Sequence, residues 1–259
     1  MDDFLVVEGL QKAYGKIKAL DGVSFRVKRG EIYGLLGPNG AGKTTTIKII
    51  TGILKPDNGN VFVFGKSPLE DPIYVKNVIG YVPEEVILYE SLTVKEFFEF
   101  IASIRGLNRD DVIERVLVLV KSFGFSEYFD TPILSLSQGT KQKVAIVAAL
   151  MHKPRLLVLD EPIKGLDAMS ARVLKEILQM HIQNGGAVLF STHIMELAEN
   201  ICTRIGIIHR GKIIAEGTMD ELKEMAREPG ADLEEVFLTL TEQIESIDEY
   251  LRDLRRIFS

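Results

Sequence analysis

The 259-residue sequence predicts an α/β fold: a parallel core sheet, an antiparallel β subdomain, an α-helical subdomain and a C-terminal helical extension. Three observations carry that expectation. Residues 37–45 form a glycine-rich phosphate-binding loop between a short apolar run and a run with helical spacing. A second apolar run, 155–160, ends in the acidic pair Asp160 and Glu161, where a parallel sheet delivers side chains to a ligand crevice. The core strand candidates are separated by helical segments, as parallel pairing requires.

Taken in chain order, residues 5–7, 23–27 and 61–64 read as strands of the antiparallel sheet, with Asp57-Asn58-Gly59 as a turn between elements. Residues 31–36 are an apolar strand, and the loop that follows reads Gly37-Pro38-Asn39-Gly40-Ala41-Gly42-Lys43-Thr44-Thr45. Gly37, Gly40 and Gly42 free the backbone to close successive N–H groups around phosphate oxygens at a helix N-terminus. Lys43 then reaches the terminal phosphates and Thr44 offers its hydroxyl to magnesium. Ile47, Ile49, Ile50 and Leu54 give a helical face over 45–54. The core sheet is expected from 31–36, 79–82, 156–160, 188–191 and 205–208. Within 91–134, Thr93 and Glu96 form a capping box ahead of two apolar helical runs. Phe97, Phe98 and Phe100 suit a core there, or an apolar surface beside Glu84.

Asp160 is placed to hold magnesium through water, and Glu161 to orient a water for attack on a γ-phosphate. Between the two motifs lies Leu134-Ser135-Leu136-Ser137-Gln138-Gly139-Thr140-Lys141-Gln142. Ser137 is a good N-cap, so its hydroxyl and the neighbouring N–H groups present a partly positive helix end suited to phosphate. His193 follows the strand 187–191, and Tyr14 lies in Lys12-Ala13-Tyr14-Gly15.

In this order the motifs resemble the ATP-binding-cassette (ABC) family, a branch of the P-loop NTPases, over residues 4–221. Leu136-Ser137-Gln138-Gly139 resembles the family signature, Glu161-Pro162 with Gly165-Leu166-Asp167 its D-loop, and Thr192-His193 its switch histidine. The resemblance implies ATP and magnesium as ligands. Residues 37–45, Ser137, Gln138 and Gly139 would bind nucleotide, and Tyr14 would stack on adenine. Thr44, Glu84 and Asp160 would serve the metal, and Glu161 and His193 the catalysis. Two such chains, or this chain and a similar cassette, would pair head to tail. The phosphate loop of one and the signature of the other would then enclose each ATP and drive a separate membrane permease.

Three positions depart from the family pattern. Glu84 stands where Gln is usual, Thr140 where Gln is common, and Lys164 where the D-loop commonly has Ser. The added charge at Glu84 calls for magnesium or a nearby cation. Lys164 falls where subunits would meet. The Pro-Glu form at Glu84 resembles a branch of export-type cassettes.

Composition narrows the alternatives. Net charge is -6, and the apolar stretches fall far short of the ~20 residues a membrane helix needs. Met-Asp-Asp-Phe carries no basic region or apolar signal core, so secretion is not expected; the resemblance then implies a peripheral subunit on the cytoplasmic face of the cell membrane. Cys202 is the one cysteine, which excludes an internal disulfide and a cysteine-based metal cluster and suits a core filler. The absence of Asn-Lys-x-Asp argues against a GTPase. The alternative class is a cassette acting on nucleic acid or the ribosome. A single cassette, about ninety residues between loop and signature, and an acidic balance all oppose it.

Residues 1–219 are expected as one ATPase domain, with the helical subdomain at about 88–150, and 220–259 as the extension. The extension carries twelve acidic and five basic residues. Asp232 and Glu235 mark a helix start. From there Leu233, Phe237, Leu240, Ile244, Ile247, Leu251, Leu254 and Phe258 keep heptad spacing. That pattern fits one long seam pairing with a second copy, or two shorter helices folding back on the sheet with a break near Thr241 or Ser246.

Overall fold

The computed structural model of the chain describes residues 3–226 and 231–241. Its first unit is an antiparallel sheet in the order β2-β1-β4, made by β1 (Asp3–Tyr14), β2 (Ile17–Lys28) and β4 (Asn58–Val63). Leu5, Val7, Leu10, Val23, Phe25, Val27, Val61 and Val63 fill its inner face, the period-2 pattern of a half-covered sheet. Asn58 and Gly59 open β4 instead of forming the expected turn, because the chain pairs with β1 as soon as it leaves Asp57. The Asp57 carboxylate accepts from Ala13 N and Lys12 Nζ, both at 2.7 Å, and so fixes the end of β1 that carries Tyr14.

The second sheet has six strands in the order β5-β6-β7-β3-β8-β9. They are β3 (Ile32–Leu36), β5 (Ile79–Val82), β6 (Leu156–Asp160), β7 (Ala187–Thr192), β8 (Arg204–His209) and β9 (Lys212–Gly217). The five expected strands are the parallel ones. β9 was not anticipated; it pairs antiparallel with β8 across the tight Arg210-Gly211 hairpin, both residues at positive φ. Both faces of this sheet are covered. Leu157, Leu159, Val188 and Phe190 point into one core, while Leu156, Val158, Ala187 and Leu189 point into the other. The alternation leaves the parallel strands reading as continuous apolar runs.

One face receives α1 (Lys43–Ile50) and the antiparallel sheet, with α2 (Pro72–Val78) beside β5. α1 is shorter than the 45–54 expected. It closes at Thr51, whose hydroxyl donates to Ile47 O at 2.9 Å, and Leu54 packs on the core from the following turn. The other face receives α3 (Val94–Ile104), α4 (Arg109–Ser122), α5 (Gln138–Leu150) and α6 (Ala168–Gln183). Thr93 and Glu96 form the expected capping box of α3. Phe97 and Phe98 are core residues, whereas Phe100 stays at the surface, edge-on to Tyr89 at 5.1 Å.

A third cluster joins α7 (Met195–Ile201), α8 (Met219–Ala226) and α9 (Leu233–Leu240) to β8 and β9. Asp232 and Glu235 cap α9 reciprocally, as expected. Leu233, Val236 and Phe237 are buried against this chain's own helices and strands, and the helix closes at Thr241. The described start of the heptad pattern, α9, packs on its own domain. Ile244, Ile247, Leu251, Leu254 and Phe258 lie outside the described residues. Cys202 packs beneath β3 as a core filler, where burial pushes its thiol up to about 12.

Candidate functional site

β3 runs straight into the phosphate loop, and the loop into α1. Gly42 caps α1 in the left-handed region, at φ 114, and offers no side chain to the first-turn N–H groups. An added Cβ at Gly42 would lie 2.7 Å from the Leu20 side chain and 2.8 Å from Ala19 O, so glycine is required both for conformation and for space. The uncapped N–H groups and the helix dipole form a cradle that fits phosphate. Lys43 is buried beneath it, donating to Gly37 O at 2.7 Å and Pro38 O at 3.2 Å. Burial lowers its ammonium below the usual lysine range, opposed by Glu161, Asp160 and Glu84.

The cleft above the loop holds about 300 Å³ and is lined by Ala19, Asn39, Gly40, Gly42, Lys43, Thr44, Thr45, Glu84 and Glu161. β6 and β7 deliver the acidic side. Asp160, at the end of β6, is fully buried; its Oδ1 accepts from the Ser191 hydroxyl, and its Oδ2 has no hydrogen-bond partner. Burial raises its carboxyl above the ordinary range, with the Ser191 and Thr44 hydroxyls opposing. An orphaned carboxylate oxygen beside Thr44 and Glu84 is a hard-oxygen environment that fits magnesium. Among the described residues no three of His, Cys, Asp and Glu converge to hold a metal alone, so phosphate and water would complete the shell.

Glu161 has φ 48, the left-handed region that non-glycine residues seldom occupy and that clusters at functional sites. Three contacts hold its buried carboxylate: His193 Nδ1 lies 2.7 Å from Oε1, Thr192 Oγ1 donates to Oε2 at 3.2 Å, and Lys43 Nζ stands 3.8 Å from Oε1. Its N–H is satisfied by Ser191 O at 3.2 Å and Ser191 Oγ at 3.3 Å. Ser191 and Thr192 were expected only as the strand leading to His193; the structure makes them the supports of both carboxylates. The signal available in the sequence was two hydroxyl residues at the end of an apolar strand.

Glu84 and Lys164, two of the departures from the family pattern, meet: Lys164 Nζ donates to Glu84 Oε1 at 3.0 Å. The bond holds the Lys164 ammonium above its usual range. The nearby cation that Glu84 called for is therefore Lys164.

Ser137, Gln138 and Gly139 are not part of the cleft lining. Ser137 caps α5, accepting from Thr140 N at 3.2 Å, and its hydroxyl lies 3.0 Å from that of Thr140, so the third departure joins the cap. Ser137 and Gln138 face solvent. α5 is clamped to residues 161–167 of its own chain. Gln142 Nε2 donates to Pro162 O at 3.0 Å, Lys143 pairs with Asp167 at 2.7 Å, and a Cβ on Gly139 would lie 2.6 Å from Gly165 O. Tyr14 stands half-exposed at the end of β1, also outside the lining.

A second, apolar groove of about 630 Å³ lies between α2, α3 and the segment after β5. Pro83, Val86, Ile87 and Leu88 form one wall, with Ile73, Phe97, Ile101 and Ile104 opposite; Ile73, Ile87 and Ile104 are largely exposed.

The ABC transporter family model matches residues 20–164. The chain is 41% identical over 218 residues to the linearmycin resistance ATP-binding protein LnrL of Bacillus subtilis, covering 84% of this chain and 70% of that protein. The structure of an ATP-binding subunit of an ABC transporter superposes with TM-score 0.88 at 35% identity, covering 92% of this chain and 99% of that one. A dimeric ATP-binding cassette in a post-hydrolysis state, bound to ADP and phosphate, superposes with TM-score 0.75 at 25% identity, covering 83% of this chain and 98% of that one. The chain belongs to the ABC transporter family, as an ATP-binding subunit.

Proposed function

We propose that this subunit hydrolyses ATP at a site shared by two cassettes and thereby energises a separate membrane permease, in the direction of export. The observation that carries the reading is the separation of two anion-binding helix ends in one chain. The loop before α1 opens into the cleft, whereas Ser137 at the start of α5 is exposed to solvent and is not part of the cleft lining. A γ-phosphate bound on Lys43 can meet Ser137 only on a second cassette, and the dimeric, ADP- and phosphate-bound relative is arranged as a pair.

In this reading the phosphates lie on the free N–H groups of the loop and the first turn of α1, Lys43 neutralises the terminal charge, and Tyr14 stacks on adenine. Thr44, Asp160 and Glu84 would hold magnesium, which when bound offsets charge on the β- and γ-oxygens. Glu161 accepts a hydrogen bond from the attacking water. As the water oxygen bonds to the γ-phosphorus, one water proton passes to Glu161, the bond to the bridging oxygen breaks with its electron pair going to ADP, and the proton leaves with phosphate. His193 and Thr192 hold Glu161 in place, so the catalytic contribution is positioning.

The apolar groove is the surface for the permease. It lies directly after Glu84 in the chain, exposes large aliphatic side chains, and is concave. No helix of the described residues is long and apolar enough to cross a membrane, which fits a peripheral subunit on the cytoplasmic face. The lean toward export rests on Pro83-Glu84 and on the resistance function in the name of LnrL. The test is Glu161→Gln: ATP binding is retained and phosphate release lost. Undiminished hydrolysis would remove Glu161 from the role.

A further inference from the structure

We propose that Lys164 is a positioning residue for the magnesium–nucleotide site, holding the Glu84 carboxylate at the mouth of the cleft until a cation takes that carboxylate over. The inference rests on the reading of the cleft as an ATP site. Glu84 lines that cleft together with Lys43, Thr44 and Glu161. A third carboxylate beside Asp160 and Glu161 repels a polyphosphate unless something compensates it. The compensation comes from a residue eighty positions away: Lys164 Nζ donates to Glu84 Oε1 at 3.0 Å. The turn that carries Lys164 is anchored on the general base, since Lys164 N donates to Glu161 O at 3.1 Å.

The pair is built to exchange. The Lys164 side chain is 63% exposed and that of Glu84 36%, so water and salt screen the bond and hold it weakly. A divalent ion on the Glu84 carboxylate weakens its bond to the Lys164 ammonium, because the two cations repel at that distance. Cation binding therefore loosens the hold of Glu84 on the Lys164 side chain. Both ends of the link lead onward. Pro83, Val86 and Leu88 flank Glu84 and form a wall of the apolar groove, and the turn is bonded to α5 through Gln142 and Lys143. Without the cation, Glu84–Lys164 is a second link between the segment after β5 and α5, beside the Lys141–Glu90 ion pair at 2.6 Å; with it, that second link is weakened.

The measurement is the dissociation constant of the full chain for a non-hydrolysable ATP analogue, in EDTA and in magnesium, expressed as the ratio of the two. Lys164→Ser leaves Glu84 uncompensated in EDTA and without a competitor in magnesium, so the ratio rises about three- to tenfold. Lys164→Arg keeps the wild-type ratio. Glu84→Gln combined with Lys164→Ser gives the ratio of Glu84→Gln alone. A wild-type ratio in Lys164→Ser overturns the proposal, as does an equal rise when Glu84 is already Gln. If the wild-type chain fails to bind the analogue in either buffer, the ATP-site reading falls with it; binding with an unmoved ratio removes the Lys164 role alone.

Discussion

Replacing Ser191 with alanine removes one hydroxyl that bonds the Asp160 carboxylate and the Glu161 backbone at once. Ser191 Oγ donates to Asp160 Oδ1 and accepts from the N–H of Glu161 at 3.3 Å. Asp160 is fully buried and its Oδ2 already lacks a partner, so the variant leaves only the nearby Thr44 hydroxyl to favour its charged form. A hydrogen bond to a charged group contributes about 1.5–3 kcal/mol, and the Glu161 N–H keeps its bond to Ser191 O. The expected loss is about 2 kcal/mol in urea unfolding at neutral pH. The charge on Asp160 sets that figure, which makes a double-mutant cycle decisive. With Asp160→Asn in place, the same Ser191→Ala change removes only a neutral hydrogen bond and costs about 1 kcal/mol. An equal loss in both backgrounds would refute the claim that Ser191 acts by supporting the Asp160 carboxylate.

Two further outcomes follow from residues outside the cleft. His152 is buried behind α5, its Nε2 2.9 Å from Ile79 O, and burial depresses its pKa to about 4 from the ordinary 6.5. The ring is thus neutral when folded and protonates first when unfolded. Its contribution is present above pH ~6.5 and is lost as pH falls toward ~4, by about 2 kcal/mol after discounting for partial exposure. His152→Gln should flatten the wild-type unfolding curve over that window by this amount, and an unchanged slope would count against the assignment. Phe237→Ala should cost about 3 kcal/mol, because the ring is buried among α7, α8 and β8 and packs edge-on to His209 at 6.3 Å. The loss should be the same over about a hundredfold range of protein concentration, whereas a seam between two chains would make it concentration-dependent.

What was legible in the sequence was what a short contiguous stretch encodes. The phosphate loop, the strand ending in Asp160-Glu161, the Thr93 and Asp232 capping boxes and the Ser137 cap are all local, and each lies within its expected element. The apolar runs 156–160 and 188–191 are buried on both faces, so they could be assigned to a parallel sheet without knowing their neighbours. β9 escaped notice because its hairpin turns on Arg210-Gly211 and lacks the Asn-Gly or Asp-Gly signal that announces such turns. Asp57 misled because a turn-type residue was used instead to bind the backbone of a different hairpin. The Glu84–Lys164 bond could not be read at all. It joins loops eighty residues apart, and each partner alone looked like an isolated departure from the pattern. The heptad pattern after Leu233 was ambiguous for a physical reason: apolar residues at spacings of three and four suit both a coiled-coil seam and a helix packed on its own domain, and burial of Val236 beside Phe237 favours the second.

The shared site is the centre of the account, and molar mass in solution tests it most directly. Glu161→Gln with ATP should run at twice the chain mass with two nucleotides per pair, and at the chain mass without ATP. Adding Ser137→Arg, on an exposed helix end that is not part of the lining of its own chain's cleft, should abolish the pair while each chain still binds ATP through residues 37–45. A pair that survives Ser137→Arg, or a Glu161→Gln chain with Ser137 intact that holds ATP with no tendency to pair, would contradict a site built from the loop of one cassette and the signature of another.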